Sequence, residues 1–185
     1  MDLTNLKNMI PDYAKDLKLN LSSVLTPDGA PGLTEKQIVA TALASAIAAR
    51  NETLLREVEA LAAEVLGQAD VDAARAAAAI MGMNNVYYRF THLVGNDEYG
   101  KMPARLRMNV IGSPGVDKTD FELYSLAVSA INGCGACVAS HEKVVRKGGI
   151  GADGVQSAVR IAAVVHGVAV ALESKAGSAE ARRAA

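Results

Sequence analysis

The chain has little of several residue types, and each shortage excludes a class of protein. Among its 185 residues there is no tryptophan, and aromatic residues make up only 4%. Two cysteines are too few for a small secreted domain held together by disulfides. Nineteen Lys and Arg residues against 20 Asp and Glu residues give a net charge of -1. This balance predicts no basic surface, and therefore no nucleic-acid partner.

Long hydrophobic runs are also missing from the sequence. The longest one, residues 161–172, is about 12 residues long and contains His166 and Gly167, whereas a membrane-spanning helix needs about 20 apolar residues. Residues 1–7 have neither the basic region nor the apolar region of a signal peptide. We therefore expect a cytoplasmic protein with no membrane partner.

What the chain does have is the composition of a helical protein. Half of its residues are hydrophobic, and alanine, the best helix former, recurs throughout. Helix caps are frequent, and the alternation of polar and apolar residues typical of strands is nearly absent. The sequence predicts one compact all-α domain over residues 1–173 and a flexible C-terminal tail over residues 174–185.

Capping residues and glycines predict where the helices begin and end. Thr34 and Gln37 fit a capping box, because each side chain can bond to the backbone of the other. Gly67 and the Asn132-Gly133 pair are expected to end the helices that precede them. The predicted helices cover residues 12–24, 35–49 and 51–66, then a segment capped by Asp70 or Asp72 that ends near 94, one from Thr119 or Asp120 to 131, residues 134–147, and one from Asp153 to about Glu173.

A weak internal repeat occurs at an offset of 84 residues, where residues 45–47 match residues 129–131. The halves would be about 35–95 and 119–173. An alanine-rich composition accounts for some of the identities, so duplication is left open. The first half would lack the reactive residues, since Arg50, Thr53 and Glu57 correspond to Cys134, Cys137 and His141.

The residues with distinctive chemistry are two cysteines and a histidine close together in the sequence. At about 100° per residue, positions 134, 137 and 141 share one stripe of a helix. The thiols of Cys134 and Cys137 can therefore close a disulfide, and the amides of the first helical turn stabilise a thiolate. His141 lies one turn beyond Cys137 and can take its proton, which makes Cys137 the expected attacking sulfur.

Glu122 reaches these residues only if the chain reverses at Asn132-Gly133. In one straight helix Glu122 would lie about 18 Å from Cys134. In an antiparallel hairpin Glu122 and His141 stand at similar heights along the two helices. The carboxylate can then orient the imidazole, directly or through a water.

Two other interpretations of these residues stay open. Cys134, Cys137, His141 and Glu122 are all zinc-ligand types, although one helical stripe makes a poor tetrahedron. The cysteine pair could also be merely buried.

Other polar and sulfur-containing residues are expected to have structural roles. We expect His92 and His166 to be buried or partly buried on apolar helices. Asn84 and Asn85 either satisfy each other's hydrogen bonds at a packed interface or line a pocket, and we favour the interface. The methionines expected in the core rather than in a ligand set are Met81, Met83, Met102 and Met108.

Residues 121–137 together with residues 140–142 closely resemble the active-site segment of the alkyl hydroperoxide reductase D (AhpD) family. Residues 11–17, 83–89 and 106–112 also look like the family, so the resemblance covers about residues 11–172. It implies an all-α fold assembled as a homotrimer, and a thiol peroxidase acting on organic hydroperoxides. Carboxymuconolactone decarboxylases of the same superfamily share the fold without this dithiol, and their chemistry is a weaker alternative.

The resemblance also implies roles for individual residues. Cys137 attacks the peroxide and becomes a sulfenic acid, and Cys134 resolves it to the Cys134–Cys137 disulfide and exchanges with the reductant. Glu122 and His141 form a proton relay to the attacking thiol. Some members of the family carry a histidine where this chain has Ala136.

The family's electron donors and partners come with the same resemblance. It implies no bound cofactor and no metal. Dihydrolipoamide on a lipoyl-bearing acyltransferase subunit supplies the electrons, and lipoamide dehydrogenase keeps it reduced. The peroxiredoxin alkyl hydroperoxide reductase C is the implied protein partner. Two alternatives remain: an adaptor that reduces the peroxiredoxin without significant peroxidase activity of its own, and a zinc-stabilised helical binding module.

Overall fold

The computed structural model describes residues 3–184, with side chains described for residues 3–177. These residues form ten α-helices and one short 3-10 turn, and no strand occurs among them. The predicted all-α fold class is confirmed. The elements are α1 (Thr4–Met9), the 3-10 turn (Asp12–Ala14), α2 (Lys15–Val24), α3 (Glu35–Ala49), α4 (Glu52–Val65), α5 (Gln68–Leu93), α6 (Asp97–Lys101), α7 (Asn109–Gly112), α8 (Lys118–Ile131), α9 (Gly135–Lys147) and α10 (Ala152–Ala184).

Helices α3 and α8 lie at the centre of the molecule. They contact each other, and each also contacts both α5 and α10. Every residue from 38 to 46 on α3 and from 121 to 129 on α8 is buried. A helix surrounded by other helices needs apolar or small residues on all sides, which explains why these two segments lack an exposed polar face. Glu122 is a charged exception within this buried part of α8.

Side-chain caps lie at the predicted starts of α3 and α4. The Thr34 hydroxyl accepts a hydrogen bond from the Gln37 amide at 3.2 Å, and the Gln37 side chain accepts one from the Thr34 amide at 2.9 Å. The Asn51 side chain accepts from the Leu54 amide at 2.8 Å. The capping box is therefore confirmed, and α4 begins at Glu52, within one residue of the predicted start.

Three other predicted caps are wrong. Helix α5 begins directly after Gly67, and Asp70 is instead paired with Lys36 at 2.8 Å. Helix α8 is capped by Asp117 rather than by Thr119 or Asp120, because the Asp117 carboxylate accepts from both of their amides. Helix α10 begins at Ala152, which places Asp153 within its first turn. The sequence offered several neighbouring acidic residues, and only backbone geometry selects among them.

Replacing Asp117 by alanine is expected to lower the free energy of unfolding by about 1 kcal/mol at pH 7. Hydrogen bonds from the Thr119 amide, and then from the Asp120 amide, lower the pKa of Asp117. Because the pKa is lowered, this stabilisation is fully present at pH values above the ordinary pKa of an aspartic acid, about 4. It is lost as the pH falls through the lowered pKa. Urea unfolding at pH 7 and near pH 2 measures both effects.

The matched control for this prediction is Asp28→Ala, since Asp28 is exposed in the loop before α3. It is expected to change stability little at either pH. If Asp117→Ala lowered the free energy of unfolding by the same amount at both pH values, the stabilising role of the ionised carboxylate would be contradicted.

The last helix runs further than predicted. The sequence predicts an end near Glu173, whereas α10 continues to Ala184. Four of residues 174–184 are alanine and none is proline, so the helix can continue there although Gly177 is a poor helix former. Side chains beyond residue 177 lie outside those described, and a flexible tail over residues 174–185 stays a prediction.

Helix α10 is also longer and more apolar than predicted from the sequence. Over Ala152–Gly177 it passes the length and composition criteria for a membrane-spanning helix. However, 56% of its most apolar stretch is buried inside the protein, and α10 packs against α2, α3 and α8. Contacts with other helices thus cover much of its apolar surface, as in the core helix of a soluble protein.

The helix order agrees with the proposed repeat halves. Helices α3, α4 and α5 begin at residues 35, 52 and 68, and α8, α9 and α10 begin at residues 118, 135 and 152. Contacts also correspond: α3 packs on α4, α5 and α10, and α8 packs on α9, α10 and α5. A common origin of residues 35–95 and 119–173 stays a prediction.

Candidate active site

The hairpin formed by α8 and α9 brings Glu122 to His141. Gly133 has a φ of 68°, in the left-handed region that favours glycine, and it ends α8 and reverses the chain. The two helices then pack against each other. The Glu122 Oε2 atom lies 2.6 Å from His141 Nδ1, which confirms the contact predicted from an antiparallel hairpin.

The two cysteines form a disulfide where α9 begins. Cys134 is the N-cap residue of α9, one position before the first turn, and its Sγ accepts a hydrogen bond from the Cys137 amide at 3.3 Å. Amide groups at a helix start stabilise negative charge. A thiolate formed at Cys134 is therefore stabilised by the backbone of α9.

The two cysteines differ in how accessible they are to a small molecule. Cys134 is 0% exposed, whereas Cys137 is 6% exposed and lines a cavity of about 290 Å³. Ser140, one turn away from Ala136 on α9, is exposed at the edge of the same cavity. A small molecule that enters there meets Cys137 first, which favours Cys137 as the attacking sulfur.

His141 contacts a third helix through its other ring nitrogen. Its Nε2 atom lies 3.2 Å from the sulfur of Met81 on α5. The 2.6 Å contact joins Nδ1 to the Glu122 carboxyl group, so both ring nitrogens of His141 have a partner in the disulfide state.

The cavity beside Cys137 is lined by α5, α8, α9 and the segment around α7. Its polar residues are Asn84 and Ser140, in addition to Glu122, Cys137 and His141. Among the described residues, no lysine or arginine lines it. Such a cavity suits a small organic molecule without negative charge. The remaining lining is mainly apolar and consists of Met81, Tyr88, Met108, Ile111, Ala136 and Val144.

Comparison with known proteins agrees with this site. The model of the carboxymuconolactone decarboxylase family matches residues 97–180, which include all four reactive residues. A protein of Gluconacetobacter diazotrophicus named alkyl hydroperoxide reductase AhpD is 59% identical over 176 residues, covering 95% of both chains. The chain belongs to the AhpD family. Proteins with the same name from Rhodospirillum centenum and Streptomyces coelicolor are 55% and 54% identical, over 95% of this chain and 93% and 97% of theirs.

The other two histidines of this AhpD-family chain are exposed, so the prediction that they are buried or partly buried is wrong. His92 lies in the last turn of α5, near the exposed side chains of Phe90 and Leu93. His166 lies on an outward side of α10 and lines a second cavity together with Arg89. The prediction relied on the apolar neighbours of both histidines in the sequence. However, α5 and α10 each have a solvent-exposed side, and the histidines lie on it.

The methionines of this AhpD-family chain do not share one environment. Met81 is in the core, at 1% exposed, as predicted, but it also contacts His141. Met83 and Met108 are half-buried. Met102 is 55% exposed, so the core prediction is wrong for this residue. It lies just after α6, in the irregular region where few neighbours cover it.

The two adjacent asparagines also have different surroundings. The Asn85 side chain donates a hydrogen bond to the Ser129 hydroxyl at 2.9 Å and accepts one from the side-chain amide of Asn132 at 2.9 Å. Asn85 therefore lies at the predicted interface. Asn84 instead lines the cavity, and its Oδ1 atom is buried without a hydrogen-bond partner. Asn84 thus follows the less favoured of its two predicted roles, and the place of Met81 in the site was not predicted. Their spacing of three on one helix was the available signal.

Proposed function

We propose that this chain is a thiol peroxidase that reduces alkyl hydroperoxides to alcohols through a Cys134–Cys137 dithiol/disulfide cycle. The observation that carries the proposal is the Cys134–Cys137 disulfide next to the buried Glu122–His141 pair, with Cys137 lining an accessible cavity. The names of relatives that align over 95% of this chain support the same reaction.

The oxidative half of the cycle uses the reduced cysteines. The Cys137 thiolate attacks the terminal oxygen of the hydroperoxide, an S–O bond forms, and the O–O bond breaks. His141, oriented by Glu122, gives a proton to the alkoxide that leaves as an alcohol. Cys137 is now a sulfenic acid. The Cys134 sulfur then attacks the sulfur of Cys137, the S–O bond breaks, and the proton lost by the Cys134 thiol goes to the leaving hydroxide, so that the disulfide forms and water leaves.

The reductive half needs a dithiol, and we propose dihydrolipoamide carried by a lipoyl-bearing acyltransferase subunit. Two electrons pass from the dihydrolipoamide to the disulfide, and lipoamide dehydrogenase reduces the lipoamide again. A cavity without lysine or arginine among the described lining residues suits the uncharged lipoyl amide arm. Cys134 is fully buried in the disulfide state, so exchange at this sulfur requires the start of α9 to open.

The assembly, partner and location are part of the same proposal. We propose a cytoplasmic homotrimer that also reduces the peroxiredoxin alkyl hydroperoxide reductase C. Exposed apolar residues on α5 support self-association, namely Val86, Phe90 and Leu93, and the Tyr99 ring stacks edge-on against Phe90 at 5.1 Å. Light scattering of the intact protein measures the subunit number.

A reductant screen tests the proposed reaction. With cumene hydroperoxide, dihydrolipoamide is expected to support turnover at least about tenfold faster than glutathione, because its second thiol closes a ring and completes the exchange intramolecularly. The alcohol product is measured by chromatography, and the reaction without protein is the control. No protein-dependent peroxide loss with any reductant would overturn the proposal.

The same assay separates the peroxidase from the two alternatives. An adaptor would consume hydroperoxide only when the peroxiredoxin is added. A zinc-stabilised module would contain stoichiometric zinc when freshly reduced, which metal analysis measures. The Cys134–Cys137 disulfide favours redox chemistry, because joined sulfurs are not free to bind a metal.

A further inference from the structure

We propose that Asn84 is a substrate-binding residue of this site, and that its side-chain amide donates a hydrogen bond to the leaving oxygen of an uncharged organic hydroperoxide. The inference rests on the proposed peroxidase function. It assigns a role to a residue outside the α8–α9 hairpin that holds the cysteines, Glu122 and His141.

The first observation is a buried polar side chain without a partner. Asn84 is 4% exposed, and its Oδ1 atom is buried and makes no hydrogen bond. Polar groups buried in folded proteins are nearly always paired, so this one needs an explanation. Its neighbour Asn85 is equally buried but bonds to Ser129 and Asn132, and therefore stabilises the packing of α5 against α8. Asn84 has no comparable structural role among the described residues.

The second observation is where Asn84 lies. Met81, Asn84 and Tyr88 follow helical spacing on α5, and all three line the cavity that Cys137 and His141 line from α9. Met81 itself touches His141 at 3.2 Å, so this face of α5 borders the proton relay directly. The exposed apolar residues of α5 lie on its opposite side, at about 180° to 240° around the helix from Asn84.

The amide is suited to the charge that the reaction develops. When the Cys137 thiolate bonds to the terminal oxygen, the O–O electron pair moves to the oxygen attached to carbon. Asn84 lines the cavity and its amide has no hydrogen-bond partner among the described residues, so its N–H donors are available to a bound hydroperoxide. An N–H group directed at a developing oxyanion stabilises the transition state more than the ground state. The alkoxide then takes its proton from His141 and leaves as the alcohol.

The same lining indicates the substrate class. Glu122 is the one acidic residue at the cavity among those described, it is already paired with His141, and no lysine or arginine is present to bind a carboxylate. An uncharged alkyl or aryl hydroperoxide is therefore favoured over one with a carboxylate near the peroxide group.

The decisive variant is Asn84→Leu, which keeps a similar volume and removes both polar atoms. It is expected to lower kcat/KM for cumene hydroperoxide by about 10- to 100-fold, mainly through kcat, because the lost hydrogen bond forms in the transition state. Its urea midpoint is expected to stay the same or rise, since an unpaired buried polar group is removed. Asn84→Gln, which restores the amide, is expected to recover part of the rate.

Asn85→Leu is the matched structural control. It breaks the hydrogen bonds to Ser129 and Asn132, so its urea midpoint is expected to fall.

Reduction of the disulfide by dithiothreitol, followed as free thiol, should proceed at the wild-type rate in Asn84→Leu, because that step develops no charge on a peroxide oxygen.

The outcomes separate this inference from the proposed function. A wild-type protein that consumes no hydroperoxide overturns both. Wild-type kcat/KM in Asn84→Leu, in a protein that does consume hydroperoxide, overturns only the role of Asn84. A loss of stability in Asn84→Leu as large as that of Asn85→Leu, with no recovery in Asn84→Gln, would also overturn it and assign Asn84 to packing.

Discussion

Cys137→Ser is expected to reduce the rate of hydroperoxide consumption by about a thousandfold or more, down to the background rate. Cys137 is the cysteine that lines the cavity, and a serine hydroxyl is not ionised near neutral pH. The measurement is alcohol formation from cumene hydroperoxide with dihydrolipoamide as electron donor. Near-normal turnover by this variant would remove the proposed mechanism.

Cys134→Ser is the matched comparison, because it removes the other sulfur of the same disulfide. It is expected to reduce one equivalent of hydroperoxide and then stop, since Cys137 is oxidised but cannot be resolved. A reagent specific for sulfenic acids should label Cys137 in this variant and leave Cys137→Ser unlabelled. Labelling at residue 134 of Cys137→Ser would reverse the two assignments.

His141→Ala is expected to slow the same reaction by about a hundredfold and to move its rate profile to higher pH, because the thiol loses its base. Glu122→Gln should have a smaller effect in the same direction, since the imidazole keeps a hydrogen-bond partner. His141→Ala also leaves the Glu122 carboxylate buried at 4% exposed without its partner. The free energy of unfolding is therefore expected to fall by about 3 kcal/mol at neutral pH.

His92→Ala controls for the loss of a histidine, because His92 is exposed at the end of α5. It should change neither the rate nor its pH profile. Should His141→Ala prove too unstable to assay, His141→Gln keeps a group able to bond to Glu122 and tests the same base. Unchanged pH profiles in both Glu122→Gln and the His141 variants would exclude the proton relay.

The sequence predicted features that depend on neighbouring residues. The start of α3 at Thr34 and the reversal at Gly133 are local, because a cap or a left-handed glycine needs only a few adjacent residues. The contact between Glu122 and His141 followed from that reversal, since one hairpin fixes the heights of both side chains. These are the parts of the fold and of the site that needed no knowledge of distant packing.

The parts that were missed depend on which side of α5 meets the hairpin. Nothing near Met81 or Asn84 in the sequence says that α8 and α9 pack against that side. For the same reason the sequence could not tell Asn84 from Asn85, although one lines the cavity and the other bonds to Ser129. His92 was expected to be buried because its neighbours are apolar, but those neighbours are themselves exposed.

The α8–α9 hairpin has a consequence for protein engineering. Its sulfurs, base and carboxylate all lie within residues 122–141, so a single graft could move them into another antiparallel helical pair. Such a transplant would leave behind the wall contributed by α5, including Met81 and Asn84. The recipient would gain an oxidisable dithiol but no shaped compartment for peroxide, and its selectivity would have to be designed separately.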